Sequence, residues 1–133
     1  MSVSTNQPQV NDLTIVQGDS YLNSAGTAIV FTKDTGYVWP TSLSGYTMSL
    51  KANPTTQTVA DTPAAASLGP ITGTVVTATG ADQAVRFDMT AAQTAALTAG
   101  SNGYTYDVQA ASGSERATLV MGTMTVKPQV NTA

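Results

Sequence analysis

The chain has 133 residues, a formal net charge of -3, no histidine and no cysteine. This length is enough for one domain with a single core. Charged residues make up only 10% of the chain, against about a quarter in ordinary soluble domains. The five cations are scattered singly, so we expect neither nucleic acid nor an anionic membrane surface as a partner. No apolar run reaches the roughly 20 residues that a membrane helix needs.

Threonine, serine, asparagine and glutamine supply most of the polarity, and threonine favours strands. The polar segment 1–11 is predicted to be an extended N-terminal arm. Residues 12–127 are predicted to form one β-sandwich domain, and residues 128–133 a short C-terminal tail. Alternation of apolar and polar residues predicts strands at 12–16, 27–32, 45–52, 71–79, 84–89, 103–111 and 115–127.

One short helix is expected late in the chain. Residues 90–93 have the sequence TAAQ, in which Thr90 and Gln93 can form a capping box. The helix is predicted to span about 90–99 and to stop at Gly100. A helix of this length is marginal alone, so Ala95, Ala96 and Leu97 are expected to bury one side of it.

The last predicted strand contains a change of phase. Leu119 and Met121 share one face, whereas Met124 and Val126 fall on the other. One extra residue at Gly122 would restore the alternation, so we predict a β-bulge there. Seven or so short strands and one short helix predict an all-β fold, an antiparallel immunoglobulin-like β-sandwich.

The residue types do not favour enzyme chemistry. Histidine, the commonest general base, and cysteine, a common metal ligand, are both missing. The eight acids occur singly at predicted turns and on polar strand positions, and no calcium-loop or phosphate-loop spacing is found. We therefore expect no catalytic residues, no metal site, no cofactor and no enzymatic activity.

The loop at 35–40, TGYVWP, contains the single tryptophan of the chain. Trp39 either folds back to close one end of the sandwich or anchors a protein interface, where aromatic residues are enriched. Tyr37, Val38 and Trp39 are the candidate interface residues. An alternative is a carbohydrate-binding module, in which Tyr21, Tyr37 and Trp39 would stack against sugars.

Several stretches resemble a known family. DLTIVQGDS at 12–20 resembles the strand and Q-G-D-[ST] turn that begin the N-terminal domain of phage baseplate upper proteins. LSGYTM at 43–48 looks like an internal strand of that family. MTAAQTAAL at 89–97 followed by GYTYDVQ at 103–109 is similar to a helix–turn–strand segment of many small phage tail, baseplate and capsid-surface proteins. TLVMGTMTV at 118–126 matches their closing strand.

This resemblance implies an immunoglobulin-like assembly module of a tailed-phage virion, made in the host cytoplasm. Small size, the polar arm and a threonine-rich surface of low charge favour a capsid cement or decoration protein. A baseplate or tail adaptor that anchors a fibre is the alternative. The expected partners are other copies of the chain, as a trimer or another small ring, and the major capsid protein or tail and baseplate proteins.

Overall fold

The computed structural model describes residues 8–40, 45–52, 68–112 and 115–130. These residues form two β-sheets around one core, with one short α-helix and a 3-10 turn at Asn23–Ala25. The strands and the helix are β1 (Gln9–Val10), β2 (Leu13–Val16), β3 (Ile29–Thr32), β4 (Gly45–Ala52), β5 (Leu68–Thr72), β6 (Thr74–Thr77), β7 (Ala84–Phe87), α1 (Ala91–Ala95), β8 (Gly100–Ser112) and β9 (Glu115–Lys127).

The larger sheet has the strand order β1-β9-β8-β4-β5, and β2 also pairs with β9. β8 and β9 form a long antiparallel hairpin, and β4 pairs antiparallel with β8 from Gly45 opposite Ala111 to Ala52 opposite Tyr104. β1 and β2 instead run parallel to β9. The sheet is therefore mixed, where the sequence predicted antiparallel strands, because the first and last strands enter the sheet edge in the same direction.

The smaller sheet has the order β3-β7-β6 and is antiparallel throughout. Gly73 lies where the chain passes from β5 in the larger sheet to β6 in the smaller one. Its N–H donates to the Tyr46 carbonyl at 2.8 Å, and a Cβ at this position would lie 2.7 Å from the Phe87 ring. This crossing divides the single strand predicted at 71–79 into two.

The all-β sandwich prediction is confirmed, and the strand order is immunoglobulin-like. The larger sheet brings the first strands beside the last hairpin, with β4 and β5 beyond it, and the smaller sheet holds β3, β6 and β7. At the helical corner before β8, the Thr98 N–H donates to the Tyr104 hydroxyl at 2.8 Å. A tyrosine at the start of this strand, bonded to backbone a few residues upstream, is a hallmark of immunoglobulin-like sandwiches.

The core lies between the two sheets. Phe31 of the smaller sheet stacks on Tyr106 of the larger one with ring centroids 5.7 Å apart, and meets Phe87 edge-on at 5.9 Å. Both contacts are in the preferred range for aromatic pairs. The other fully buried large apolar side chains are Val85 of the smaller sheet, Met89 in the bridge with Tyr21 after β7, and seven from the larger sheet: Ile15, Met48, Leu50, Val108, Val120, Met124 and Val126.

The capping box is confirmed, but the helix is shorter than predicted. The Thr90 hydroxyl accepts from the Gln93 N–H, and the Gln93 side chain accepts from the Thr90 N–H. α1 ends at Ala95, and the chain then turns so that Leu97 is buried at 3% exposure. Gly100 begins β8 rather than ending the helix. The buried helical side chain is Thr94, whereas the two alanines predicted to be buried are exposed.

The β-bulge of the last strand is real, but its predicted position was wrong. Val108 pairs with Val120 and Gln109 with Thr118, so Leu119 is the extra residue. Leu119 and Val120 are consequently both buried, and Met121 turns outward at 41% exposure. Gly122 pairs regularly with Tyr106. It is a glycine for another reason, since a Cβ there would overlap the Asn11 carbonyl.

The end of the predicted arm belongs to the sheet. Gln9 is 1% exposed; its amide donates to the Thr32 carbonyl and accepts from the Asp34 N–H, both at 3.0 Å. This side chain thus ties β1 in the larger sheet to the end of β3 in the smaller one, so the domain begins earlier than residue 12. Residues 1–7 of the arm and 131–133 of the tail lie outside the described residues, whereas 128–130 are exposed.

Candidate interaction surface

The acidic side chains in the described part of the chain are dispersed. No three of them lie close enough together to hold a metal ion there. Asp88 accepts from the Asn23 N–H at 3.2 Å and lies 3.8 Å from Arg86 in an exposed ion pair. Such surface pairs add little stability. Asp61 and the side chain of Glu115 lie outside the described residues.

Two aspartates have shifted pKa values of opposite sign. Asp12 accepts from the Thr123 N–H at 3.1 Å and from its hydroxyl at 3.0 Å. These bonds, the backbone one first, hold the Asp12 pKa below its usual value. Asp107 lies on the outward side of β8, and partial burial raises the pKa of its carboxyl. The pKa shifts of Asp12 and Asp107 thus follow from hydrogen bonds and from partial burial.

Hydrogen bonds from a glutamine and a lysine side chain position the loop at 35–40, which we call the aromatic loop. The Gln83 amide donates to the Ala78 carbonyl at 2.9 Å and to the Trp39 carbonyl at 3.5 Å. The Lys33 ammonium donates to the Gly80 carbonyl at 2.9 Å. These bonds join the loop between β3 and β4 to the turn between β6 and β7. The loop is therefore attached to a second turn at the same end of the sandwich.

The structure separates the three candidate interface residues. Trp39 is 5% exposed and belongs to the core cluster, as the interpretation of an end plug requires. Its indole N–H is buried without a hydrogen-bond partner among the described residues. Val38 is 65% exposed, and Tyr37 is partly buried. An interface at this loop would thus be formed by Val38 and Tyr37 rather than by the indole.

A flat platform of exposed aromatic residues is not formed by the three sugar-binding candidates. Tyr21 packs against the core, and its hydroxyl accepts from the Val16 N–H at 2.7 Å. Its backbone also exchanges two hydrogen bonds with Met89, each 2.8 Å long. Trp39 also lies in the core, so Tyr37 is the one candidate of the three whose ring is not packed against the core.

Two of the stretches that carry the family resemblance contact each other. The Gly18 N–H donates to the Thr94 hydroxyl at 3.1 Å, and that hydroxyl donates to the Asp19 carbonyl at 2.7 Å. The Gln17 amide donates to the Leu97 carbonyl at 2.8 Å. The Q-G-D turn after β2 and the helical segment thus form one joint. These motif residues are explained by folding, so they do not themselves mark a binding site.

The larger sheet has a regular outward side, which we call the outer face. Along β8, buried side chains alternate with side chains that point outward. The residues paired with these outward residues in β4, β9 and β1 also point outward, so that each set of paired residues forms a row across the sheet. Residues of the outer face are mostly uncharged and short: Val10, Thr14, Thr47, Ser49, Thr105, Asp107, Gln109, Thr118, Met121, Thr123 and Thr125.

The central row of the outer face runs across four strands. It places Ser49, Asp107, Met121 and Val10 side by side. Val10 is 65% exposed and Met121 41%, and together they form an apolar end to the row. Isolated exposed apolar residues are ordinary, but two adjacent ones on a flat face of low charge are a feature of protein contact surfaces.

Sequence reasoning did not find Val10 or Met121. Val10 lies in the segment predicted to be an arm, and its outward position beside an inward Gln9 is the reverse of the apolar-in alternation that predicts a strand. Met121 shares its predicted face with Leu119, because the predicted bulge at Gly122 lies three residues after the observed one at Leu119. In the sequence, the change of phase between Leu119 and Val120 lies within three successive apolar residues, Leu119 to Met121. Such a run also occurs in strands that are buried on both faces, so it does not locate a bulge.

Comparison with known proteins identifies no relative: no family model, curated protein or solved structure matches the chain. Over the described residues, the helices are too short and too polar to pass through a bilayer.

Proposed function

We propose that the chain is a non-enzymatic structural protein of a tailed-phage virion, a cement or decoration protein that binds the capsid and stabilises the shell. It docks with the outer face of its larger sheet. Its partner is the major capsid protein, and its role is to bridge neighbouring shell subunits by burying surface that would otherwise remain exposed.

The observation that carries this proposal is the composition of the outer face. Its rows consist of threonine, serine and glutamine around the apolar pair Val10 and Met121, and the charged side chains near its centre, among those described, are two aspartates: the partly buried Asp107, and Asp12, whose carboxylate accepts from Thr123. Charged residues are depleted in the same way at the centre of protein interfaces. Arg116 and Lys127 lie near the two ends of β9, as a polar rim would.

Two further features support the proposal. The phage assignment is supported by the sequence resemblance at 12–20, 89–97, 103–109 and 118–126. The rigidity of the surface is supported by the hairpin of β8 and β9, whose strands have 13 residues each. A docking surface on regular strands holds its side chains in fixed positions, so little conformational entropy is lost on binding.

The copy number in purified particles tests the location. Phage particles from the host that encodes the chain are purified, and the chain is quantified against the major capsid protein by mass spectrometry. A ratio within a few-fold of one supports a cement protein. A ratio of roughly one to fifty places the chain at the tail or baseplate instead. Its absence from the particles refutes a virion function altogether.

A matched pair of variants tests the surface. Met121→Lys adds one charge to the outer face, and Val38→Lys adds the same charge to the aromatic loop; both side chains are exposed. Binding to particles that lack the chain is measured by co-sedimentation. The proposal predicts that Met121→Lys weakens binding at least about tenfold, since a charge is desolvated in the contact, and that Val38→Lys binds as the wild type. The reverse result refutes the outer face and assigns the contact to the loop.

A further inference from the structure

The sandwich has four strand edges in the described part of the chain, and three of them carry a feature that opposes further pairing. The edge formed by β1 and β2 is interrupted at Asn11 and Asp12, and the Asp12 carboxylate lies at the break. β5 contains Pro70, which has no N–H to donate. On β3, the Thr32 carbonyl already accepts from the Gln9 side chain. Proteins use such features to keep edge strands from pairing with other chains.

β6 lacks the charge, the proline and the side-chain contact that mark the other three edges, and its own interruption is the register shift between Val75 and Thr77. It pairs with β7 on one side only in the part of the chain that the structure describes. Its sequence is TVVT, all four residues are exposed, and Val75 and Val76 are 41% and 52% exposed. No charged residue occurs from position 68 to 81. An uncharged, exposed edge of β-branched residues is a template for strand addition.

A second copy of the same strand fits this edge. Two β6 strands related by a two-fold axis run antiparallel, and each supplies the backbone groups that the other lacks. Segment 68–81 is itself uncharged in both copies. The Lys33 ammonium, which donates to the Gly80 carbonyl, lies beyond one end of β6, so a two-fold axis places it and its copy at opposite ends of the contact. The nearest cation along the sheet, Arg86, is on β7. Three strand spacings, about 14 Å, would separate it from its copy, which is beyond the screening length of roughly 8 Å in physiological salt.

The size of the contact sets its strength. Four residues per copy make an interface well below the about 1,200 Å² of a stable complex. The register shift between Val75 and Thr77 shortens the regular part of the edge further. The association is therefore weak and reversible in solution, and it becomes substantial where copies are concentrated or held side by side.

We propose that β6 is a self-association site, at which two copies of the chain pair edge to edge about a two-fold axis near Val75 and Val76 and join their smaller sheets into one six-stranded sheet. This contact uses a different sheet from the outer face. It therefore does not depend on the proposed function, and a virion protein and a non-virion protein would both show it.

Sedimentation velocity of the purified full chain tests the proposal over a series of concentrations. The wild type is expected to form a dimer with a dissociation constant on the order of 100 μM. Val76→Lys should weaken the dimer at least about tenfold, because it places two like charges across the axis. Val38→Lys, which adds the same charge at a site of greater exposure, should dimerise as the wild type does. Thermal melting of each variant verifies that it is folded.

Cysteine cross-linking gives a second measurement, which the absence of native cysteine makes specific. Val76→Cys should form a disulfide dimer under mild copper–phenanthroline oxidation much faster than Val38→Cys, although Val38 is the more exposed. A wild type that is monomeric up to about 1 mM, roughly tenfold above the expected dissociation constant, overturns the proposal. Equal dimerisation of Val76→Lys, equal cross-linking at both sites, or a limiting mass of three chains also overturns it.

Discussion

Gly122→Ala tests the closest backbone approach in the described part of the sandwich. The new Cβ would overlap the Asn11 carbonyl oxygen and lie 2.8 Å from its carbon and 3.2 Å from an Asp12 carboxylate oxygen. The nearest atoms belong to backbone, so the segment between β1 and β2 must move. The Tyr106 hydroxyl donates to that same carbonyl, and the Asn11 N–H donates to the Met121 carbonyl at 3.1 Å. Both bonds would be strained or lost.

The expected cost is the sum of these two effects. Overpacking against a fixed neighbour costs about 1–3 kcal/mol, and one buried hydrogen bond contributes about 1 kcal/mol more. The free energy of unfolding should therefore fall by about 2–4 kcal/mol, which lowers the melting temperature by roughly 10 °C in a domain of this size. Urea unfolding followed by tryptophan fluorescence measures the free energy, since Trp39 is in the core.

Gly26→Ala is the control for this experiment. Gly26 has a φ of 73° but no atom within 4 Å of an added Cβ, so its substitution costs only the strain of the left-handed conformation, about 1–2 kcal/mol. It should also leave the Tyr106 environment in near-ultraviolet circular dichroism unchanged, whereas Gly122→Ala should alter it. If Gly122→Ala is within about 0.5 kcal/mol of the wild type, the scatter of neutral surface changes, the explanation of this glycine is wrong.

Three further substitutions test other parts of the structure. Thr94→Val removes the hydroxyl that joins Gly18 and Asp19 to the helix; it should cost about 1–3 kcal/mol in urea unfolding, and a Thr94→Ser variant that is equally unstable would contradict this. Trp39→Ala should lower the free energy of unfolding by about 3–5 kcal/mol, because it truncates a core side chain. An unchanged melting temperature would show that the indole does not contribute to the core. Burial raises the Asp107 pKa in the folded state, so the protonated carboxyl stabilises the fold at low pH and this contribution is lost as the pH rises through the raised pKa. Asp107→Asn should remove that loss, which begins above the ordinary aspartate pKa of 3.8, and an identical pH profile in the variant would refute it.

Local signals in the sequence were enough for most of the elements. The alternation of Tyr104, Tyr106 and Val108 sets the buried side of β8, and the pattern of Thr90 and Gln93 sets the start of the helix. Each depends on residues within a few positions of one another. The fold class can be predicted from the number and length of such segments.

The features that could not be predicted depend on contacts between distant residues. The parallel pairing of β1 with β9 joins residues 111 positions apart, and no local pattern distinguishes it from an arm. The helix ended early because the Thr98 N–H is used by the Tyr104 hydroxyl. The bulge position depends on how β9 packs in the sandwich, since of the three successive apolar residues Leu119 and Val120 are buried and Met121 is exposed.

The candidate surface was missed for the same reason. Only the position of the bulge turns Met121 outward, and only the pairing of β1 with β9 brings Val10 beside it. The loop at 35–40 was singled out by residue type, yet the most unusual residue in it, Trp39, belongs to the core. Rarity of a residue type in a sequence does not distinguish a contact residue from a packing residue.

The parallel edge strands have a mechanical consequence. The chain enters the sheet beside Val120 and leaves it beside Val16, at the opposite end of the same pair of strands. A force applied to the segments on either side of the sheet, before Gln9 and after Lys127, is directed along β1, β2 and β9. The hydrogen bonds between these strands run across that direction and would share the load in shear, rather than break one after another. A domain joined at both ends is thereby suited to resist tension.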